Sequence, residues 1–543
     1  MKTRILYIAV WLLGWCSAAV AQDVPVTVAD VLQQSDTYTV FARLVEACGL
    51  QERLSMIRDE EYEEAYMTGL VSNIPDLASE GSGTGVIPEH RLYGFTLFAE
   101  TDATWQQLIG KASAAITVAD VKNYLISKGV YPDATTDDNY GNESNIINQF
   151  VTYHILPQRL TTDKLVIHYN ELGYSYLSSK NFTIAVEEFY TTLGRPRLLK
   201  AFESLESEGI FLNRFPVLHN GRGRFAPAME NINDYHESGT FKPIRGMALS
   251  EDENEGVRVT QRGTDVASTY SVNGIIYPIT QLLVFTENVR TQLKFQRMRF
   301  DVTSILPEMA NNDMRRPMQN FTFGHPRNRG FSPDYPYFEN LQLEAGTRFY
   351  YLSGLNCGWH DYQGDEFLAS GNYDFVLKLP PVPAQGHYEL RFGVQSNSYS
   401  RGLAQVFVGT DPAALFYANT VDMRVGGTTT NYYGGSRVAN GVGWEADTGI
   451  PTYDRFIDLR LHEKGLMKGA NSYSNTPGST SSLRQSEWVM RRVIWEGDVS
   501  PEKPIYLRIR NALEDLNLQF FLDYIEWCSK DVYANPEEPE DIW

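Results

Sequence analysis

The sequence predicts an α+β domain followed by an all-β sandwich. In the first half, apolar residues recur at helical spacing in several segments, and strand-like runs lie between them. After about residue 291, short strand-like runs alternate with Gly, Pro and Asn turns. An aromatic share of 13% also fits β-strands. The helical segments are residues 37–47, 54–66, 102–105 and 145–154, and the earlier strand-like runs are 93–99 and 275–284.

Seven short runs in the second half carry the sandwich prediction. Residues 388–394 alternate apolar and polar side chains, which is typical of a strand with one face in water. No helical pattern is evident between the runs. They are residues 348–353, 373–379, 386–396, 402–408, 491–496, 504–510 and 518–527.

Length, composition and charge narrow the function classes. A chain of 543 residues is too long for one ordinary domain, and 43% hydrophobic with 21% charged residues is a globular composition. The formal net charge is −20, and no basic run of five residues occurs. A nucleic-acid partner is therefore excluded, because its phosphates require clustered Lys and Arg.

The N-terminus has the pattern of an export signal over residues 1–21. Lys2 and Arg4 precede an apolar run at residues 5–15, and a small-x-small site ends at Ala21. We expect cleavage after Ala21 and a soluble protein in the periplasm or at the cell surface. A lipid anchor at Cys16 is the alternative, disfavoured by the bulky residue before it. No second apolar run reaches membrane-spanning length.

Three cysteines follow the signal. An odd, sparse count in an exported protein excludes a disulfide scaffold. A Cys357–Cys528 bridge and three buried free thiols, including Cys48, are both compatible with the sequence.

Three ordered segments resemble the conserved boxes of the fasciclin family. Residues 96–105 read Thr-Leu-Phe-Ala-Glu-Thr-Asp-Ala-Thr-Trp, where the family usually has Pro at the position of Glu100 and Phe at that of Trp105. Residues 150–157, Phe-Val-Thr-Tyr-His-Ile-Leu-Pro, resemble the Tyr-His box, and residues 273–279, Asn-Gly-Ile-Ile-Tyr-Pro-Ile, resemble the closing strand. The resemblance implies a fasciclin-like domain over residues 27–289, with inserts before residue 93 and between 157 and 273.

The box residues have a structural and a functional interpretation. Structurally, Asp102 lies at a helix N-terminus, Asp36 caps the helix at 37–47, and the His154 ring bonds a neighbouring loop near Asp102. Functionally, the family resemblance implies an adhesive surface. The box residues are Thr96, Phe98, Thr101, Asp102, Tyr153 and His154.

Residues 290–530 resemble the galactose-binding-type jelly rolls of bacterial glycan-capture proteins. The resemblance lies in Gly-Asn-Tyr-Asp-Phe from residue 371, Leu-Pro-Pro-Val-Pro from 379, Tyr-Glu-Leu-Arg from 388, Gly-Leu-Ala-Gln-Val from 402 and Phe-Leu-Asp-Tyr-Ile-Glu from 521. It implies an accessory role in polysaccharide uptake. Residues 531–543 are predicted to form a solvated acidic tail.

Aromatic residues near Gly-rich connections are the glycan-binding candidates, because flat rings next to polar groups suit sugars. Burial of these rings as anchors beneath loops is the competing interpretation. The candidates are Trp359, His360, Asp361, Tyr362, Tyr432, Tyr433 and Trp444.

No motif predicts a catalytic residue, a cofactor or a metal site. The sequence therefore predicts a non-catalytic envelope protein that binds a glycan or an envelope protein. A structural or assembly protein that contacts only other proteins is the alternative. A glycoside hydrolase using carboxylates among Asp361, Asp365 and Glu366 is a distant one.

Overall fold

The computed structural model of the protein is a mixed α/β structure with many antiparallel sheets. It describes residues 26–71, 87–165, 186–204, 209–217, 248–249, 256–260, 271–314, 329–353, 362, 365–396, 401–427, 430–433, 436–439, 442–448, 450–469, 484, 486–513, 515–535 and 540.

Helices dominate the first half of the described chain and are sparser in the second. They are α1 (Val28–Gln34), α2 (Thr39–Ala47), α3 (Gln51–Leu54), α4 (Glu60–Met67), α5 (Asp102–Ile109), α6 (Val118–Ser127), α7 (Ile146–Tyr153), α8 (Thr162–Leu165), α9 (Glu287–Lys294), α10 (Val302–Ile305), α11 (Pro307–Asn311), α12 (Pro451–His462) and α13 (Lys530–Tyr533). Among the described residues, none of the helices is both long and apolar enough to cross a bilayer.

The strands of the first half are β1 (Phe95–Glu100), β2 (Ile155–Leu156), β3 (Val186–Thr191), β4 (Leu198–Ser204), β5 (Gly209–Leu212), β6 (Pro216–Val217), β7 (Ala248–Leu249), β8 (Val257–Arg258) and β9 (Gly274–Ile279). Those of the second half are β10 (Arg297–Asp301), β11 (Arg329–Phe331), β12 (Leu341–Leu343), β13 (Thr347–Ser353), β14 (Asp365–Gly371), β15 (Asp374–Lys378), β16 (Gly386–Gln395), β17 (Leu403–Gly409), β18 (Phe416–Asp422), β19 (Thr430–Tyr433), β20 (Ser436–Ala439), β21 (Leu466–Lys468), β22 (Val489–Val499), β23 (Tyr506–Asn511), β24 (Gln519–Leu522) and β25 (Tyr524–Ser529).

The first half is built around a three-stranded sheet in the order β2-β1-β9. β1 runs antiparallel to β2 and parallel to β9, and both outer partners lie far from it in sequence. Every residue of β1 and β9 is buried, as expected of strands covered on both faces. The helix predictions at 102–105 and 145–154 are confirmed at α5 and α7, whereas the strand predicted at 275–284 is confirmed only as far as Ile279, where β9 ends.

An inserted antiparallel sheet, in the order β3-β4-β5-β8, packs beside the start of the second half. The ring of Phe189 on β3 lies 5.9 Å from that of Phe300 on β10. The buried apolar cluster consequently continues from the first half into the second across residue 289.

The strands of the second half form antiparallel sheets. The larger ones have the orders β12-β15-β23-β17-β18, β11-β13-β14-β24 and β10-β25-β16-β22-β21. The Phe375 ring of the first of these sheets packs against two rings of the second, Phe349 at 5.6 Å and Phe520 at 6.0 Å. The predicted strand at 518–527 is broken at Asp523, where the chain passes from one sheet to the next.

The prediction of an all-β second half is wrong, because α10 and α11 lie between β10 and β11 and the longer helix α12 lies between β20 and β21. Pro451 opens this helix, which suits the ring's fixed φ and missing N–H. Ile457 and Leu461 bury its inner face against Met490 on β22. The apolar residues from 453 to 461 were a readable helical signal.

The second half also gives a stability test at Gly393 on β16. Tyr524 on β25 stands directly opposite, and a Cβ on Gly393 would overlap its buried ring. We expect Gly393→Ala to lower the free energy of unfolding by about 1–3 kcal/mol, the usual cost of overpacking. Gly141→Ala is the matched control, because the nearest atom to a Cβ there is Asn139 Oδ1 at 3.9 Å, an ordinary contact distance. Equal urea unfolding curves for both variants would contradict this packing.

Candidate functional site

The predicted box residues meet around the β2-β1-β9 sheet, and five of the six are buried. Thr96 donates through its hydroxyl to the Gln158 carbonyl at 2.7 Å and accepts from the Leu160 amide at 2.9 Å. Phe98 stacks on Tyr277 of β9, with ring centroids 5.8 Å apart. Thr96 thus joins β1 to the segment that follows β2, and Phe98 joins β1 to β9.

Thr101 and Asp102 cap two different helices. Thr101 is the N-cap of α5 and accepts from the Thr104 amide. Asp102 is the first residue of α5, yet its carboxylate accepts from the Val40 amide at 3.0 Å and the Thr39 hydroxyl at 2.6 Å. It therefore caps α2, whose own N-cap residue makes no side-chain capping bond. The prediction that Asp36 caps this helix is wrong, because Asp36 is exposed and Asp102 makes the capping bonds.

Tyr153 and His154 are also fully enclosed. The Tyr153 hydroxyl donates to the Leu198 carbonyl and accepts from Asn213 at 2.8 Å, so it ties α7 to the inserted sheet. His154 Nδ1 lies 2.7 Å from the Phe150 carbonyl and Nε2 lies 3.0 Å from Glu100 Oε1. The partner of the ring is therefore Glu100, which is two positions before Asp102 but belongs to strand β1 and not to a loop.

The contact between His154 Nε2 and Glu100 Oε1 requires a proton between the two atoms. A carbonyl oxygen only accepts, so Nδ1 must carry a hydrogen, and the contact at Nε2 then needs a second proton shared between ring and carboxylate. Glu100 Oε1 also accepts from the Leu283 amide at 3.0 Å. Because both side chains are buried, this pair can contact a partner only if the core opens, and burial favours the structural interpretation of the boxes.

The predicted aromatic patches divide into rings that serve as anchors and residues that the structure does not describe. Tyr362 lies against Tyr524 at 5.0 Å, and burial raises its pKa to about 12. Trp444 packs against the Ile457 cluster beneath α12. Both rings are partly buried against these neighbours, which favours the interpretation as anchors over that as open platforms. The predictions for Trp359, His360 and Asp361, and for the rings of Tyr432 and Tyr433 on β19, lie outside the described residues.

Two of the three carboxylates considered for hydrolysis are described. Asp365 and Glu366 are consecutive residues of β14 and are 1% and 2% exposed. Neighbouring strand residues point to opposite faces, so these two carboxylates do not face each other across a common cleft. Asp365 accepts from the Tyr351 hydroxyl at 2.8 Å. Asp361 lies outside the described residues, and within them no cluster of His, Cys, Asp and Glu has the arrangement of a metal site.

Cys48 and Cys528 are buried free thiols, so a Cys357–Cys528 bridge is not formed in this structure. Burial raises the pKa of Cys48 to about 12, which keeps the thiol protonated and unreactive.

The sequence interpretation missed an aromatic surface on the side of β17, β18 and β23 that faces away from the buried residues. We call this surface the outer face. Phe407 and Tyr417 stand opposite each other on β17 and β18, with ring centroids 5.8 Å apart and Tyr417 59% exposed. Arg510 on β23 lies 5.7 Å from the Phe407 ring and donates to Gln405 Oε1 at 3.2 Å. Outward positions alternate with buried ones along β17, so Phe407 was a readable signal.

A second feature that was missed is a buried charge cluster on the sheet β10-β25-β16-β22. Glu526 on β25 contacts four guanidinium groups, from Arg297 and Arg299 on β10, Arg391 on β16 and Arg491 on β22, at 2.8–3.7 Å. The prediction that residues 388–394 have one wet face is wrong. The alternate charged residues of β16 are buried here, Glu389 at 4% and Arg391 at 0% exposure.

The electrostatics of the cluster favour the charged carboxylate. Burial alone opposes the charge on Glu526, but the surrounding arginines outweigh it and lower its pKa to about 2. Burial and the neighbouring Arg299 lower the pKa of Arg297 to about 9. Breaking such a buried cluster by removing one partner costs about 3–5 kcal/mol, because the remaining charges stay buried.

We expect Asp102→Ala to lower the free energy of unfolding by about 1 kcal/mol, because α2 loses its N-terminal cap. Asp36→Ala is the matched control and should stay within about 0.5 kcal/mol of wild type. Urea denaturation measures both. A larger loss for Asp36→Ala than for Asp102→Ala would restore the sequence-based assignment.

The charge cluster predicts acid sensitivity. The folded pKa of Glu526 is about 2, below the unfolded value of about 4.3. Its contribution to stability is therefore present above the unfolded pKa and is lost as the pH falls through the folded one. In urea unfolding from pH 6 to pH 2, we expect the deficit of Glu526→Gln relative to wild type to shrink with decreasing pH. A constant deficit would contradict the assignment.

Comparison with known proteins provides no relative to guide the assignment. No family model matches the chain, and no curated protein matches it significantly. The outer face and the buried charge cluster are the features of the molecule from which a function can be inferred.

Proposed function

We propose that this chain is a non-catalytic cell-envelope binding protein, and that its outer face binds a glycan. The observation that carries the proposal is the Phe407–Tyr417 ring pair, in which Tyr417 is exposed and Phe407 half-buried, bordered by hydrogen-bonding side chains. The export signal predicted over residues 1–21 supports the envelope location.

The proposal includes two fold families. We assign residues 27–289 to a fasciclin-like domain with inserts and residues 290–530 to a galactose-binding-like jelly roll. The first assignment is supported by the way the three sequence boxes meet, since β1, β2 and β9 form one sheet. The second is supported by the antiparallel sheets and by the aromatic rings that pack between them.

The chemistry of the outer face suits a neutral sugar. A pyranose has apolar C–H faces that pack on aromatic rings and hydroxyl groups that need donors and acceptors. Tyr417 and Thr420 hydroxyls lie 2.9 Å apart, and the Gln405 and Arg510 side chains stand on neighbouring strands of the same face. A neutral ligand is also not repelled by a net charge of −20.

A structural or assembly protein is the second candidate, and α12 favours it. Ile450, Tyr453, Phe456 and Leu459 are exposed by 39–58% at intervals of three residues, which places them along one side of the helix. Such an apolar stripe fits a protein partner. The glycoside hydrolase alternative has no comparable support, because Asp365 and Glu366 are buried on opposite strand faces.

Glycan binding is tested by a matched pair on β18. Tyr417 lies on the outer face. Phe416, the residue before it, is 76% exposed but lies on the opposite face of the strand, because it pairs with inward-facing Val408. In affinity electrophoresis with the best ligand from a glycan array, we expect Tyr417→Ala to weaken binding at least tenfold, about 1.4 kcal/mol. Phe416→Ala should bind normally, and neither change should alter the melting temperature much.

Three outcomes decide between the candidates. Equal losses for both variants would contradict binding at the outer face. No retention by any glycan, together with capture of an envelope protein that depends on Tyr453 and Phe456, would support the assembly role instead. Turnover of a bound glycan would support the hydrolase.

A further inference from the structure

Glu540 belongs to the predicted acidic tail. Its carboxylate occupies a pocket formed by Arg297, Arg391 and Arg491 on the sheet β10-β25-β16-β22-β21. Its carboxylate accepts from Nη1 of Arg391 at 2.8 Å to each oxygen, from Nη1 of Arg491 at 3.0 Å and from Nη1 of Arg297 at 3.3 Å. The expectation of a solvated tail is therefore wrong for Glu540, whose side chain is 15% exposed.

The pocket is positioned by groups other than the tail. Arg391 Nε and Nη2 both donate to Glu389 Oε2, at 2.8 and 2.6 Å, and Arg491 Nε donates to the Lys468 carbonyl at 2.9 Å. Glu389 is in turn held by His462 of α12 at 2.8 Å. Two of the guanidinium groups are thus oriented before a carboxylate arrives, which reduces the entropy lost on binding.

The contacts to Glu540 are those of a recognition site. Charge-assisted bonds from three buried arginines converge on one carboxylate. Burial opposes the charge on Glu540, but Arg391 and then Arg491 outweigh it and hold its pKa well below the usual range. Cys528 Sγ lies 3.8 Å from Oε2, so the buried thiol also contacts the carboxylate.

We propose that the pocket of Arg297, Arg391 and Arg491 is a binding site for an acidic peptide, and that the chain's own Glu540 fills it until a partner's acidic segment displaces it. The occupant seen in the structure is itself a glutamate of an acidic peptide, in the sequence Pro-Glu-Glu-Pro-Glu-Asp at residues 536–541. This site is separate from the outer face and does not depend on its glycan-binding role.

Competition from the tethered tail is the property to measure. A tethered carboxylate acts at a high effective concentration, so a free peptide binds the intact chain weakly. Glu540→Gln removes the charge of the tethered side chain and changes no residue of the pocket. The full-length Glu540→Gln variant should therefore bind a synthetic peptide of residues 534–543 at least tenfold more tightly than wild type.

Fluorescence anisotropy with the labelled peptide tests this. Full-length Glu538→Gln is the control with the same charge change, and it should bind like wild type. The peptide carrying Glu540→Gln should bind the Glu540→Gln protein at least tenfold more weakly than the unaltered peptide. Equal binding of the two peptides, or no gain in the variant protein, would overturn the proposal.

Two further measurements keep the proposal testable. If Glu540→Gln weakens folding, the unaltered peptide should raise its melting temperature and the altered peptide should not; equal effects would overturn the proposal. Inorganic phosphate at the peptide's concentration should displace little of it. If phosphate displaces the peptide completely, the pocket is a general anion site and the peptide assignment is wrong.

Discussion

The carboxylate of Glu526 is the group on which the arrangement of the second half depends. It lies in the middle of a sheet that is covered on both faces, and arginines from β10, β16 and β22 all converge on it. A charge enclosed in this way is tolerable only if opposite charges and hydrogen bonds surround it. Each strand must therefore adopt the register that brings its arginine to Glu526.

The cluster also explains why elements from distant parts of the sequence cover this sheet. Helix α12 supplies His462 to Glu389, and the tail supplies Glu540 to three arginines. A purely apolar sheet would accept many coverings, whereas this one requires groups of the right charge at fixed positions. Buried charge here specifies which segments pack on the sheet more than it stabilises them.

Much of the fold could be predicted because it depends on local patterns. Strand alternation located β13, β15, β16, β17 and β23, and helical spacing with a capping residue located α5 and α7. The alternation along β17 also indicated the outer face, because Phe407 occupies an outward position on that strand. Alternation does not show which group covers a polar strand face. The pattern of β16 therefore predicts that its polar side faces water, although that side is enclosed.

The remaining errors have the same physical origin, since they concern contacts between residues far apart in sequence. The cap of α2 comes from Asp102, 62 residues after the amide it accepts from, whereas the nearby Asp36 makes no such bond. The partner of His154 is Glu100, 54 residues earlier. A sequence pattern indicates hydrogen-bond partners that are close in sequence. It does not show which side chain from a distant segment the fold brings into contact.

The position of β25 within its sheet has a consequence for how the protein is made. It lies between β10 and β16, and its Glu526 pairs with an arginine 227 residues earlier in the chain. Synthesis proceeds from the N-terminus, so β10 and β16 emerge long before the strand that joins them. Until then their edges are unpaired and prone to aggregation. The second half therefore completes its folding only after nearly the whole chain has been synthesised.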